Sequence, residues 1–157
     1  MVFDLCAFKY FGSYQSFLRR TEIEKTNFEN LHIYRLSERL AEQIWRIVLG
    51  WEYFAKNTVG IQIVKAADSV GANIAEGSGR GTEAELRRFL RVARGSLYET
   101  QHWLRRAYKR NLLTQKQVDE LVPILRELTP KLNAYLGSIG SLRNALAISL
   151  RDSNDTI

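Results

Sequence analysis

Apolar residues recur at spacings of three and four along most of this chain, and no segment sustains the period-two alternation of a half-buried strand. Ile33, Leu36, Leu40, Ile44, Ile47, Trp51 and Phe54 form the first stripe, which predicts one long amphipathic helix. The run "KNTVG" interrupts it, with Asn57 or Thr58 available as an N-cap. Ile63, Ala67, Val70 and Ile74 then carry a second helix, and Gly77 stands where a C-terminal glycine is favoured. Thr82 and Glu85 match a capping box ahead of a third stripe: Leu86, Phe89, Leu90, Ala93, Leu97, Thr100, Leu104 and Ala107. Thr114 with Gln117 repeats the capping pattern before Val118, Leu121, Leu125, Leu128, Leu132 and Leu136. Pro123 and Pro130 fall inside that fourth stripe and predict a kink or a divided helix.

Four such helices on short connections predict an all-α, antiparallel, up-down-up-down four-helix bundle over residues 31–140. Residues 1–30 lack a clean stripe and read as an N-terminal extension. Residues 141–157 read as a C-terminal tail, of which "RDSNDTI" has the composition of disorder. A length of 157 residues suits a single domain with a genuine core. No run approaches the roughly 18 apolar residues of a membrane span. The N-terminus carries Asp4 and Lys9 without a basic start, which makes a poor signal peptide. Cys6 is the single cysteine, so no internal disulfide is expected and a reducing, cytoplasmic setting fits.

Within the second stripe lies "SVGANIAEGSGRGT", Ser69 to Thr82, built almost wholly of small side chains. Ala67, Gly71 and Ala75 stand four apart and would make a shallow groove for another helix. Gly95 and Ser96 on the third helix offer a matching surface. The rival reading is a phosphate cradle at a helix N-terminus, with Arg80 among the glycines. Gly77, Gly79 and Gly81 fit neither of the common nucleotide-binding glycine patterns, which also require a preceding strand. Glu76, in the last helical turn, faces the negative end of the dipole. Arg80 or Arg94 would compensate it, and with Asn73 and Glu99 these form a candidate structural polar cluster where helices two and three meet. A binding site at the same residues is the alternative.

Charge sharpens the picture. The formal net charge is +6, and it resides in one segment: residues 80–110 hold nine Lys/Arg against three Asp/Glu, while both flanks are balanced. Arg80, Arg87, Arg88, Arg91, Arg105, Arg106, Lys109 and Arg110 are the candidate nucleic-acid-binding residues. Eight of the nine cations in 80–110 are arginine, whose planar fork suits phosphate. Tyr98, Trp103 and Tyr108 interleave with them and offer stacking surfaces. The alternative is a solvated face whose final basic turn complements the helix dipole. Catalytic chemistry is hard to assemble: His32 and His102 stand apart without metal-ligand spacing, and Asp68, Glu76 and Glu99 form no evident acid–base pair. No enzyme activity, metal or cofactor is expected.

The run "DSVGANIAEGSGRGTEAELRRFLRVARGSLYET", Asp68 to Thr100, resembles the signature of the four-helix-bundle proteins encoded in 23S rRNA intervening sequences. Its hallmarks here are Asn73 to Gly77 and Ala93 to Glu99, and the likeness extends over roughly Phe28 to Ile139; residues 1–30 depart from the usual short N-terminus. The resemblance implies a bundle that assembles as a homopentameric ring without enzymatic activity. It also implies likeness of fold to the basic accessory variability proteins of diversity-generating retroelements, which work with a reverse transcriptase and its RNA. Trp45, Val48, Tyr98, Trp103 and Tyr135 lie off or beside the stripes, which independently predicts an interface between copies. The combined expectation is a cytoplasmic, self-assembling, non-enzymatic protein whose basic surface meets nucleic acid, the expected targets being structured RNA or an RNA–protein complex such as a reverse transcriptase with its RNA. The alternative is an oligomeric scaffold that binds a partner protein and whose charge serves solubility.

Overall fold

A computed structural model describes residues 27–139; Cys6, the bulk of the N-terminal extension and the C-terminal tail lie outside them. A short 3-10 turn, Asn27–Asn30, leads into four long helices: α1 (His32–Leu49), α2 (Ile61–Gly79), α3 (Glu83–Lys109) and α4 (Gln115–Ser138). No strand occurs among the described residues. α2 packs on both α1 and α3, and α4 contacts α1 and α3.

The stripes become the core. Leu40, Ile44, Ile63, Ile74, Leu90, Leu97, Leu128 and Leu132 are essentially inaccessible, with Thr100 and Ser37 buried among them. Both buried hydroxyls are satisfied within their own helices, Ser37 donating to the Tyr34 carbonyl and Thr100 to that of Ser96. Ile124 joins the core from α4 although it lay outside the predicted stripe. Pro123 and Pro130 sit inside one undivided α4, on its exposed side.

The first stripe ends sooner than its periodicity suggests. α1 stops at Leu49, Gly50 caps it, and Phe54 is 79% exposed on the next element. Neither Asn57 nor Thr58 is an N-cap. A helical turn, Tyr53–Ala55, runs through a π-helical segment, Lys56–Gly60, straight into α2 with helical backbone angles throughout. Asn57 and Thr58 lie inside it and donate to the carbonyls four residues back, those of Tyr53 and Phe54. Nor does Gly77 end α2; the helix continues to Gly79, and the turn is completed by Gly81 at φ +75°, where a side chain would be strained.

Gly77 instead allows α3 to approach: a Cβ there would stand 2.8 Å from Phe89 Cβ and 3.3 Å from Leu86 Cδ1. Gly71 faces α1, where a Cβ would stand 3.1 Å from Ser37 Oγ. Gly95 has open space around it, so it provides no matching groove for α2. The small residues of α2 therefore serve two partners, α1 in mid-helix and α3 near the turn.

Candidate nucleic-acid interface

α3 is positioned by its start and its buried face. Thr82 accepts a hydrogen bond from the Glu85 backbone N–H at 3.3 Å, while the Glu85 carboxylate turns to Arg88 at 3.5 Å, so the N-terminal cap is the hydroxyl half of the predicted box. At α4 the full reciprocal box forms between Thr114 and Gln117. Leu90, Ala93, Leu97, Thr100, Leu104 and Ala107 bury one side of α3. At about 100° per residue the opposite side is left to Arg87, Arg88, Arg91, Tyr98, His102, Arg105, Arg106 and Lys109, and each of these is exposed.

The expected cations are thus brought onto one helix face, with Arg110 at its C-cap. Among the described residues, Arg88 is the only one of those on α3 in an ion pair; its guanidinium also lies 5.4 Å from the Phe89 ring centroid. Arg80 lies outside α3, at the C-cap of α2, where it pairs with Glu76 one turn back; its guanidinium is 5.3 Å from the centroid of the same Phe89 ring. The Glu76 carboxylate holds the Arg80 guanidinium above its ordinary pKa, through the hydrogen bond first and charge second.

The polar cluster expected between α2 and α3 is not joined by hydrogen bonds among the described residues. Glu76 takes Arg80 as its partner rather than Arg94, because Arg80 follows by one helical turn on the same side. Asn73 donates to the Ser69 carbonyl at 2.7 Å, and Glu99 accepts from Trp103 Nε1 at 3.3 Å, both within their own helices. Arg94 is partly buried without an ion pair among the described residues. The glycine turn likewise spends its polar groups internally: Arg80 on Glu76 and the Thr82 hydroxyl on the α3 N-terminus. Beside it lies an open groove of about 550 Å³ lined by Gly77, Thr82, Leu86, Tyr135 and Ile139.

His32, set apart by sequence reasoning, bonds Glu127 of α4 at 2.7 Å and holds that carboxylate below its ordinary pKa. His102 is exposed and edge-on to Trp103, with centroids 5.2 Å apart. No group of three or more His, Cys, Asp or Glu among the described residues has metal-binding geometry. No described helix is long and apolar enough to cross a membrane.

Of the residues expected at an interface, Trp45 and Tyr98 are about half exposed, Trp103 and Tyr135 are partly buried, and Val48 belongs to the core. Val48 turns inward because Gly60, lacking a side chain, admits it: a Cβ at Gly60 would meet Val48 Cγ1 at 2.8 Å. Periodicity missed the more exposed pair Tyr53 and Phe54, at 82% and 79%, and also Leu49 and Ile61. Their signal was the apolar content of the α1–α2 connection itself, which a stripe absorbs as core.

These features define a small helical bundle with one strongly cationic helix face. The chain belongs to the 23S rRNA-intervening sequence protein family, whose pattern matches residues 29–134, about two thirds of its length. No curated protein matches it.

Proposed function

We propose that this protein is a non-enzymatic, self-assembling bundle whose α3 face binds nucleic acid, with structured RNA as the preferred polyanion. One observation carries the reading: Arg87 and Arg91 stand exposed in the first turns of α3 without an acidic partner among the described residues. Both lie beyond the first turn, where Glu83 and Glu85 already meet the dipole, so no helix-end charge effect accounts for them. A solvated basic face accounts for Arg106 and Lys109 in the last turn, but not for cations at the opposite end. Family membership is loosely consistent with a nucleic-acid role. Self-assembly is supported by Trp45, Leu49, Tyr53, Phe54 and Ile61, exposed apolar side chains gathered around the α1–α2 connection. An up-down-up-down bundle assembled as a pentameric ring, in the cytoplasm, completes the reading; short connections between long helices support the topology.

The test is a salt series of binding to a structured RNA. Affinity should fall steeply and linearly in log–log form as phosphate contacts release counterions. Arg87→Gln with Arg91→Gln should flatten the slope by roughly two while helicity is retained. A slope near zero, or one unaltered by the double substitution, would favour the scaffold reading, for which the exposed Tyr53–Phe54 pair supplies a docking surface.

A further inference from the structure

The cations of α3 repeat. Arg87, Arg88 and Arg91 stand at i, i+1 and i+4; Arg105, Arg106 and Lys109 stand in the same pattern eighteen residues later. Eighteen residues are five full helical turns, so each member of the second tripod has the azimuth of its counterpart, about 27 Å further along the axis. All six are exposed on α3, an unbroken helix from Glu83 to Lys109, which fixes the separation rigidly. The first tripod is partly pre-set, since Arg88 is braced by Glu85 and by the Phe89 ring.

Between the tripods the helix changes character. Gly95 leaves the surface bare, with nothing within 4 Å of where a Cβ would be. Tyr98, 48% exposed, and the exposed His102 fall on the same face, bringing a phenol hydroxyl and an imidazole to its middle.

We infer that the two tripods hold backbone phosphates one helical turn apart on a base-paired RNA, with Tyr98 and His102 against its shallow minor groove between them. This rests on the nucleic-acid reading above and narrows it. A rigid repeat of one cation pattern matches a polyanion that itself repeats. A single strand can bend its phosphates to any spacing and gives no reason for the repeat. One turn of B-form DNA advances about 34–36 Å, longer than the tripod separation of about 27 Å; the more compressed A-form duplex comes nearer. Duplex RNA is read mostly through phosphates and the 2′-hydroxyls of its minor groove, and the 2′-hydroxyl separates RNA from DNA. A phenol and an imidazole at mid-face are suited to that contact.

The experiment compares the full chain with Arg87→Gln/Arg88→Gln/Arg91→Gln and with Arg105→Gln/Arg106→Gln/Lys109→Gln. The probes are a 22-bp RNA duplex, the same duplex as DNA, a 22-nucleotide unpaired RNA and a hairpin with a 5-bp stem. Each triple variant should lose roughly a hundredfold in affinity for the RNA duplex at moderate salt, as expected for three lost phosphate contacts. Neither should lose more than a few-fold on the hairpin, which cannot span both tripods. Tyr98→Phe should narrow the preference for duplex RNA over duplex DNA. Circular dichroism and light scattering would establish that each variant folds and assembles as the parent does. If unpaired RNA or the hairpin binds as tightly as the long RNA duplex, the inference fails while the basic-surface reading stands. If no probe binds at low salt, both fail.

Discussion

Gly77→Ala tests the closest approach of two helices in this bundle. The added methyl would stand 2.8 Å from Phe89 Cβ, an atom fixed to the α3 backbone that no rotamer change can withdraw. Leu86 Cδ1 at 3.3 Å can swing aside, but the Leu86 carbonyl oxygen at 3.4 Å cannot. α2 must therefore move away from α3, and overpacking of this kind costs roughly 1–3 kcal/mol. Against it stands the gain of about 1 kcal/mol from replacing glycine inside a helix. The net expectation is a loss of about 0–2 kcal/mol. Gly95→Ala is the control. It sits in the interior of α3 with open space around it, so only the propensity gain of about 1 kcal/mol applies. The two variants should thus differ by about 1–3 kcal/mol, which at roughly 2–4 °C per kcal/mol is several degrees in Tm. Thermal melts at one fixed protein concentration are the assay, because any self-association would make Tm concentration-dependent. If Gly77→Ala stabilises as much as Gly95→Ala, the helix contact does not constrain the backbone as described.

Two further outcomes follow from the remaining features. Light scattering of the 18.1 kDa chain should return a multiple near five, and replacing Tyr53 and Phe54 with Ser should lower it; a monomer at micromolar concentration in the parent protein would refute self-assembly. Asp68 is solvent-accessible, yet partial desolvation by its neighbours first and the Glu42 charge second raise its pKa from 3.8. The folded state then binds that proton more tightly than the unfolded one, so its stabilisation is present below about 3.8 and is lost as pH rises through the raised value. Asp68→Asn should accordingly raise Tm at neutral pH, with the advantage vanishing below pH 3.8; an advantage that grows on acidification would reverse the sign of the argument.

Sequence periodicity was a good guide wherever one helix buried one stripe. Ile33 through Ile47 and Leu90 through Ala107 are core residues at the predicted spacing, because a 3.6-residue repeat leaves little choice of face. It misled at element ends. Trp51 and Phe54 continue the spacing of α1, yet α1 ends at Leu49 with Gly50 as its cap, and extended Glu52 separates it from the turn that carries Phe54. Asn57 and Thr58 look like caps because their side chains bond backbone, but inside a helix they bond backwards to carbonyls instead of forwards to free N–H groups. Glycine carried real information about packing, though not about its partner: Gly77 meets Phe89, whereas Gly95 meets nothing. The cationic face was legible by subtraction from the α3 stripe. Local pairing was less so: Arg80 and Arg94 were both candidates for Glu76, and the partner is Arg80, one helical turn on.

The π-helical segment has a consequence for how this chain tolerates changes in length. Its wide turn holds one residue more than a regular helix would use, and the Ile61 N–H reaches back five residues to the Lys56 carbonyl. Regular winding would carry Lys56 round to nearly the azimuth of the buried Ile63, seven residues on. The surplus residue turns Lys56 out, where its ammonium meets the Leu49 carbonyl at the end of α1. Length can thus be gained or lost here as a local change of winding, with every side chain from Ile61 onward keeping its phase against α1 and α3. One residue added between Arg91 and Arg105 has no such refuge: it would turn one end of α3 by about 100° against the other. The α1–α2 junction is where this architecture can absorb an insertion; α3 is where it must count residues.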